Sequence, residues 1–149
     1  MARAEPTFRT PAVRREPAGK PVEPPKKTRG EPVIRVVPMP SDVNSNGDIF
    51  GGWVLSHMDI AGGVVTARYA KGRTATVAIN AMTFHEPIKV GDVVSIYAEV
   101  TRVGNSSIEV TLETLVTRRL EPREIKVTEG VFVYVAINDQ GRPRPVGQP

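Results

Sequence analysis

The feature of this sequence that most constrains its fold is a polar loop followed by one long, largely apolar helix, in residues 40–69 (PSDVNSNGDIFGGWVLSHMDIAGGVVTARY). From Trp53 onward, the residues predicted to face the core recur at the three- and four-residue spacing of a helix. They are Leu55, Met58, Asp59, Gly62, Val65, Thr66 and Tyr69. Asp59 differs from the others, because burying a carboxylate is costly unless it is paired or used. We therefore predict a functional role for Asp59.

Two glycine pairs lie at the start and in the middle of this helix. Gly51-Gly52 permits a sharp turn from the loop into the helix. Gly62 and Gly63 each lower helix propensity by about 1 kcal/mol relative to alanine. A helix retains such a pair where another element packs close to its backbone, which predicts a sheet curled around the helix.

The rest of the chain is typical of β-structure. Strands are predicted at residues 33–37, 74–84, 93–103, 107–117 and 124–137. Short turns join the last four strands, so we expect successive strands to be antiparallel neighbours. An antiparallel sheet wrapped around one long central helix is an α+β architecture, the hotdog fold. The unpaired edge and exposed face of such a sheet predict a homodimer.

Length and composition indicate one domain and narrow its chemistry. The 149 residues suffice for one core, predicted at residues 33–145 between an N-terminal tail, 1–32, and a C-terminal tail, 146–149. Cysteine is absent, which excludes thiol catalysis, disulfides and thiolate metal sites. His57 and His85 are the two histidines and lack metal-binding spacing, so neither a metal nor a cofactor is expected. No segment of the sequence resembles a membrane span or a secretory signal, which predicts a cytoplasmic location and no membrane partner.

The basic charge of the chain lies in the N-terminal tail. Residues 1–32 hold eight of the 20 Lys and Arg residues and four of the 16 Asp and Glu residues, so the remainder is neutral. Seven of the 14 prolines also lie there, among few large apolar residues, and we predict that this tail is disordered. It is either a solubilising extension or a weak contact for anions, RNA or a membrane surface. No nucleic-acid-binding module follows it, so a nucleic-acid partner is not expected.

Three segments of the sequence resemble a known family. They are PSDVNSNGDIFGGWVLSHMDIAGG, TVAINAMTFHEPIKVGDVV and EGVFVYVAINDQGRPRP, and they resemble the YciA-type bacterial acyl-CoA thioester hydrolases of the hotdog thioesterase superfamily. The resemblance covers residues 33–145, and NxNGDIFGGW followed by SxMD carries most of its specificity. It implies an acyl-CoA thioesterase that forms homodimers or a trimer of dimers.

The resemblance also implies the site residues. The aspartate of the SxMD segment, Asp59, corresponds to the catalytic carboxylate, and Gly51-Gly52 to the helix start that binds the thioester carbonyl. The loop that faces the partner subunit's site contains Asn44, Asn46 and Asp48.

Substrate contacts are predicted around the helix start, along the groove and at its mouth. These residues are Asp48, Phe50, Trp53, Met58, Arg73, Arg118 and Arg119, and Lys89 and Arg123 are further basic candidates. The basic side chains are predicted to bind the CoA phosphates, and Arg118-Arg119 matches a basic pair in the family. The sequence departs from the family with His57 in place of Gln, and with His85-Glu86 in place of an apolar residue and Lys. These changes bear on substrate preference and CoA contacts.

Thioester hydrolysis needs a base or nucleophile, a positioned water, and donors aimed at the developing oxyanion. Asp59 can supply the first, and backbone amides around Gly51, Gly52 and Trp53 can supply the last. Asp59 lies about 10 Å along the helix axis from Gly52, at 1.5 Å per residue. We therefore expect a composite site, with Asp59 from one subunit and Gly51-Gly52 from the other.

Several alternatives stay open at this point. Asp59 is either a general base or a nucleophile, or else a structural carboxylate paired with arginine. Asn44 and Asn46 either orient water or only form the turn. Ser56 and Thr83 lack a His-Asp partner at recognisable spacing and are not expected to be nucleophiles.

Two other function classes compete with the hydrolase. The first is a non-catalytic acyl-CoA sensor whose basic tail contacts nucleic acid, which predicts strongly salt-dependent binding through residues 1–32. The second is a hydratase or dehydratase, which requires an Asp-His pair. His57 and Asp59 are two residues apart and project from different sides of a helix, so this class ranks last.

Overall fold

A computed structural model describes residues 30–148 of the chain. The elements follow the order β1 (Ile34–Val36), a short 3-10 helix (Pro40–Asp42), α1 (Gly51–Ala70), β2 (Thr74–Phe84), β3 (Val93–Val103), β4 (Ser107–Thr117) and β5 (Glu124–Ala136). Residues 1–29, and with them almost all of the predicted disordered tail, lie outside the described residues. The predicted hotdog architecture is confirmed, because a five-stranded antiparallel sheet packs against one long helix.

The predicted strand limits are close to those of the structure. Residues 74–84, 93–103 and 107–117 match β2, β3 and β4 to the residue, while β5 ends one residue early and β1 is one residue shorter at each end. The helix ends where Lys71-Gly72 follows, and Lys71 adopts the left-handed conformation (φ 51°) that closes helices at this position. Local turn chemistry therefore sets the element boundaries.

The expected neighbour relation of β2 and β3 is wrong. The strand order is β1-β3-β4-β5-β2, so β2 pairs with β5 and forms one edge of the sheet. The connection, residues 85–92, must cross three strand spacings, about 14 Å at 4.7–4.9 Å each. Eight extended residues reach about 26 Å, so the crossing is easily made. Ile88 anchors it, because its side chain is buried and its carbonyl accepts from the Ile49 N–H at 3.0 Å.

The core lies between α1 and one face of the sheet. Along β4, every second side chain from Ile108 to Leu112 is buried against the helix. The helix contributes Val54, Met58, Ala61, Gly62, Thr66 and Ala70. Val146 packs on the same cluster, so contacts with the core continue past residue 145.

The inward face of α1 is rotated relative to the prediction. Leu55, Val65 and Asp59 are half-buried rather than buried, and Tyr69 is 53% exposed. Ala61 and Ala70 take the buried positions, because small side chains permit the closest approach of the sheet. Apolar residues consequently lie all around this helix, with Ile60 and Val64 on its exposed side. A helix that is apolar on every side is normally covered on every side.

Close packing on the helix glycines is confirmed at Gly62. A Cβ built at Gly62 would lie 2.1 Å from the Tyr134 hydroxyl oxygen, so only glycine fits beneath that side chain. At Gly63, no atom of the described chain lies within 4 Å of such a Cβ. The two neighbouring glycines therefore have different environments. No helix among residues 30–148 has the length and apolar character of a membrane span.

Candidate active site

Two hydroxyl groups from the sheet hold the carboxylate of Asp59. The Thr76 hydroxyl on β2 donates to Oδ1 at 2.5 Å, and the Tyr134 hydroxyl on β5 lies 3.1 Å from the same oxygen. Tyr134 also lies 3.0 Å from the backbone carbonyl oxygen of Asp59. Within residues 30–148, Oδ2 of Asp59 has no hydrogen-bond or ion-pair partner. Asp59 is thus fixed through one oxygen and free at the other, and it is not paired with an arginine in the described chain.

Thr76 and Tyr134 were not predicted from the sequence. They lie opposite each other in the β2–β5 pairing, so two neighbouring strands present hydroxyls to one helix residue. Tyr134 carried a usable signal: it occupies a buried position in an alternating strand, where a tyrosine hydroxyl needs a polar partner. Thr76 is an ordinary strand residue and carried none.

The environment of Tyr134 keeps its hydroxyl protonated. Burial raises the pKa of this phenol well above its ordinary value of 10.0, and the negative charge and hydrogen bond of Asp59 raise it further. The Thr76 hydroxyl opposes this shift with a smaller effect on the Tyr134 pKa. Tyr134 is therefore a hydrogen-bond donor at every pH where the protein would work.

The start of α1 presents two unused backbone donors. Gly51 and Gly52 are the first two residues of the helix, and no acceptor for either amide lies among the described residues. The Trp53 amide, predicted as a further donor, is occupied because it donates to the Phe50 carbonyl at 3.0 Å. The donor pair is thus Gly51 and Gly52, at the positive end of the helix dipole.

The asparagine loop is held together by Asn44. Its side-chain oxygen accepts from the backbone amides of Asn46 (2.9 Å) and Asp48 (3.2 Å), and its backbone N–H donates to the Asp48 carbonyl at 2.7 Å. Gly47 takes the left-handed conformation that the turn requires (φ 82°). The Asn46 side chain is exposed, while the Asp48 carboxylate forms an ion pair with Lys89. Asn44 therefore shapes the loop, and Asn46 is the asparagine whose side chain is presented outward.

The apolar and aromatic residues predicted to contact substrate differ in their exposure. Met58 is fully buried in the core and reaches no surface of the chain. Phe50 is exposed beside the helix start, and Trp53 is half-buried with its ring 4.2 Å from that of His57. His57 Nδ1 lies 2.8 Å from the Trp53 carbonyl oxygen, so His57 and Asp59 have separate partners. In the described part of the chain, neither His57 nor His85 pairs with an aspartate as the hydratase type requires.

The basic candidates do not form one cluster within the chain. Arg73 precedes β2 and Arg118 follows β4, and these strands are both antiparallel to β5, so the two arginines lie at opposite ends of the sheet. Arg118 is bonded to the buried carboxylate of Asp92 (3.3 Å) and to the Pro87 carbonyl (2.8 Å). Arg119 and Arg123 are exposed.

Arg73 lines an open cavity of about 310 Å³ with Lys71, Gly72, Ile137, Asn138, Asp139 and Arg144. It donates to the backbone carbonyls of Asn138 and Asp139, both at 3.3 Å. His85 lies at the opposite end of β2, 3.4 Å from Glu129.

Comparison with known proteins identifies the family. Residues 46–116 match the thioesterase superfamily. The acyl-CoA thioester hydrolase YciA of Salmonella typhimurium is 46% identical over 121 residues, which span 79% of this chain and 91% of that protein. This chain belongs to the YciA-type acyl-CoA thioester hydrolases. The family resemblance predicted from the sequence is confirmed.

Solved structures of related thioesterases share the fold. A hexameric thioesterase from Yersinia pestis is 45% identical, with a TM-score of 0.75 over 80% of this chain and 98% of that one. A hexameric hotdog fold thioesterase of Campylobacter jejuni is 38% identical, with a TM-score of 0.74 over 78% and 90% of the two chains. The superfamily match of this YciA-type chain contains Gly51, Asp59 and Thr76, whereas Tyr134 lies beyond it.

Proposed function

We propose that the protein hydrolyses acyl-CoA to a carboxylic acid and CoA, at sites formed by Asp59 of one subunit and the Gly51-Gly52 amides of its partner. The observation that carries the proposal is the carboxylate of Asp59, whose Oδ1 is held by two hydroxyls while Oδ2 is free. Such a carboxylate is suited to accept a proton from water or to attack a carbonyl carbon. Membership of the acyl-CoA thioester hydrolases supports the substrate class.

Two subunits are needed because Asp59 and Gly51 lie beside opposite ends of β2. Asp59 bonds to Thr76 near the start of this strand, whereas Gly51 lies beside Phe84 at its end. Asn80 is midway between these positions. Antiparallel pairing of two β2 edges about a two-fold axis at Asn80 would bring Thr76 of one copy opposite the partner's Phe84. Asp59 of one subunit would then lie at the helix start of the other.

The exposed surface of the single chain supports this mode of pairing. β2 is a sheet edge of 11 residues, and it exposes Val77 and Phe84 by 58% and 57%. Long apolar edge strands are normally paired or covered. The helix α1 exposes Ile60 by 56% together with Val64. A second copy would cover the edge and the helix side together, which gives the homodimer.

Higher assembly is proposed by analogy with the solved relatives. The thioesterases of Yersinia pestis and Campylobacter jejuni are hexameric. We infer that three dimers of this chain form a hexamer. Closed assemblies of two-fold dimers with three-fold symmetry are a common arrangement for soluble oligomers.

The reaction assigns one role to each part of the site. Gly51 and Gly52 amides donate to the thioester carbonyl oxygen and stabilise the negative charge that develops there. If Asp59 acts as a base, it takes a proton from water, water oxygen bonds to the carbonyl carbon, and the C–S bond breaks to release CoA thiolate, which is then protonated. If Asp59 acts as a nucleophile, Oδ2 forms a mixed anhydride, CoA thiolate leaves, and water hydrolyses the anhydride. Both routes give the same products.

The loop and the basic side chains complete the proposed site. Asn46 is the outward amide of the loop and is proposed to orient the attacking water, with Asn44 holding its backbone in place. Asp48, Phe50 and Trp53 are proposed to contact the substrate near the helix start. Because Arg73 and Arg118 lie at opposite ends of one sheet, they would contact the CoA phosphates at different sites of the assembly, with Arg119 beside Arg118.

The proposal is tested by release of free CoA from acyl-CoAs of graded chain length, with wild type and Asp59→Ala compared. We expect turnover by the wild type and a loss of about a hundredfold or more in kcat for the variant, which stays folded and oligomeric. Binding of acyl-CoA by the wild type without turnover would favour the sensor instead. Equal turnover by Asp59→Ala would make Asp59 a structural carboxylate.

A water oxygen can enter the Asp59 side chain by the nucleophile route alone. In ¹⁸O-labelled water, attack on the Asp59 carbon of an anhydride leaves label in that side chain, so label there establishes the nucleophile route. Attack at the acyl carbon labels the product acid, as the base route also does. Mass spectrometry of the peptide containing Asp59 reads the difference.

A further inference from the structure

We propose that Thr76 and Tyr134 are positioning residues of the reaction, which hold Oδ1 of Asp59 so that Oδ2 is the atom that reacts. This inference rests on the proposed function and adds two residues to it. Thr76 donates to Oδ1 at 2.5 Å and Tyr134 lies 3.1 Å from the same oxygen. No hydrogen bond joins either hydroxyl to Oδ2.

The two oxygens of a free carboxylate exchange easily, because rotation about the last side-chain bond of aspartate is broad and two-fold. Donors on Oδ1 hold the plane of the carboxylate, since a partial turn of the group would move the charged oxygen away from Thr76 and Tyr134. A reacting group must be held close to its productive geometry by partners that are themselves fixed. The two hydroxyls meet this requirement from two neighbouring strands, β2 and β5.

The sheet brings both donors to the same side chain. Thr76 and Tyr134 are register partners in the β2–β5 pairing, so the pairing sets the spacing of their backbones. The Tyr134 ring is almost fully buried, and its hydroxyl rests against the helix backbone at Gly62. A side chain at position 62 would occupy the space of that hydroxyl. The absence of a side chain at Gly62 therefore allows Tyr134, and with it the sheet, to pack close to Asp59.

Tyr134 donates under all working conditions. Burial and the charge of Asp59 raise the pKa of Tyr134, so the phenol stays protonated. Tyr134 is thus suited to hold the carboxylate and unsuited to act as a proton-transfer group itself. The single hydroxyl proton of Tyr134 is shared between Asp59 Oδ1 and the Asp59 carbonyl oxygen. Tyr134 therefore links the side chain of Asp59 to the backbone of the same residue.

The test compares the steady-state kinetics of hydroxyl-deletion variants in the full chain. Thr76→Val and Tyr134→Phe are each expected to lower kcat by roughly tenfold, and the double variant by roughly a hundredfold, with KM little changed. Thr76→Ser keeps the hydroxyl and is expected to stay near wild type. Thr74→Val is the matched control: its hydroxyl also bonds to the helix, at Thr66 Oγ1 (2.9 Å), but does not contact Asp59. It should leave kcat unchanged.

Each alternative outcome gives a definite answer. Wild-type kcat in folded Thr76→Val and Tyr134→Phe overturns the positioning roles, as does a Thr76→Ser variant as impaired as Thr76→Val. If Tyr134→Phe does not fold, the Thr76 series decides alone. Asp59→Ala, assayed in parallel, separates the positioning roles from the proposed function. If Asp59→Ala is inactive but Thr76→Val and Tyr134→Phe are fully active, only the positioning roles are rejected. If Asp59→Ala is fully active, the catalytic role of Asp59 is rejected, and the positioning roles with it.

Discussion

Replacing Gly62 by alanine tests how closely the sheet packs on the helix beside Asp59. The new Cβ would lie 2.1 Å from Oη, 2.6 Å from Cζ and 2.8 Å from Cε2 of Tyr134. Attractive contact between such atoms requires about 3.5 Å, so the ring must move by more than about 1 Å. Tyr134 is buried in a strand, which leaves it little room to do so.

The magnitude follows from three effects. Overpacking a core position costs about 1–3 kcal/mol, and loss of the hydrogen bond from Tyr134 to the Asp59 carboxylate costs about 1.5–3 kcal/mol. Alanine restores about 1 kcal/mol of helix propensity. Gly62→Ala should therefore lower the free energy of unfolding by about 1.5–5 kcal/mol and also lower kcat. Gly63→Ala adds a Cβ with no neighbour within 4 Å among residues 30–148 and should raise the free energy of unfolding by about 1 kcal/mol.

Urea denaturation of both variants at one protein concentration measures the difference, because oligomer stability depends on concentration. The double variant Gly62→Ala with Tyr134→Phe removes the closest contact and should recover part of the lost stability. If Gly62→Ala is as stable as Gly63→Ala, the close approach of Tyr134 to the helix is wrong.

Two further predictions concern the loop and the outer charges. Asn44→Ala removes the acceptor of two loop amides and should cost about 1–2 kcal/mol of unfolding free energy, whereas Asn46→Ala, which removes an exposed side chain, should stay within about 0.5 kcal/mol. Denaturation separates them, and lost activity in stable Asn46→Ala would support a role in the reaction. The Lys126 ammonium hydrogen-bonds to Glu129 and holds the pKa of that carboxyl below its ordinary 4.5. A lowered carboxyl pKa stabilises the fold above the unfolded pKa and ceases to do so as pH falls through the folded pKa. As pH falls from about 5 to about 3, the free energy of unfolding should therefore decrease less in Lys126→Met than in wild type. Equal decreases in the two proteins would show that Glu129 does not contribute to the loss of stability in acid.

The elements were predictable because their signals are local. The alternation in residues 107–117, with a turn at each end, defines β4 without reference to the rest of the chain. The order of the strands is a non-local property, and the pairing of β2 with β5 could not be read from turns. Ile88 could have indicated that the β2–β3 connection crosses the sheet. A buried apolar residue inside a connection indicates that the connection packs against the core.

The candidate site was predictable in part for the same reason. Asp59 and Gly51-Gly52 lie in one contiguous motif, whereas Tyr134 is 75 residues from Asp59. A hydroxyl that reaches a carboxylate across the core leaves no spacing pattern in the sequence. The sequence did not show which residues of α1 face the core, because a helix with apolar residues on all sides has no single apolar stripe.

The composite site is the central claim, and Gly51→Pro offers a specific way to remove one donor. Proline lacks the amide hydrogen but fits the first position of a helix. Phe50, the residue before it, already has the extended backbone that proline demands (φ −54°, ψ 134°). We expect Gly51→Pro to lose roughly a hundredfold or more in kcat while it remains folded.

The most direct measurement is the activity of Asp59→Ala and Gly51→Pro subunits assembled together. A mixed dimer has one site with Asp59 from one subunit and Gly51 from the other, both intact, and one site with neither. Random mixing makes about half of the dimers mixed, so about a quarter of wild-type activity should return from two inactive parents. A mixture as inactive as its parents, with mixed oligomers demonstrated by two affinity tags, would contradict a site shared between subunits.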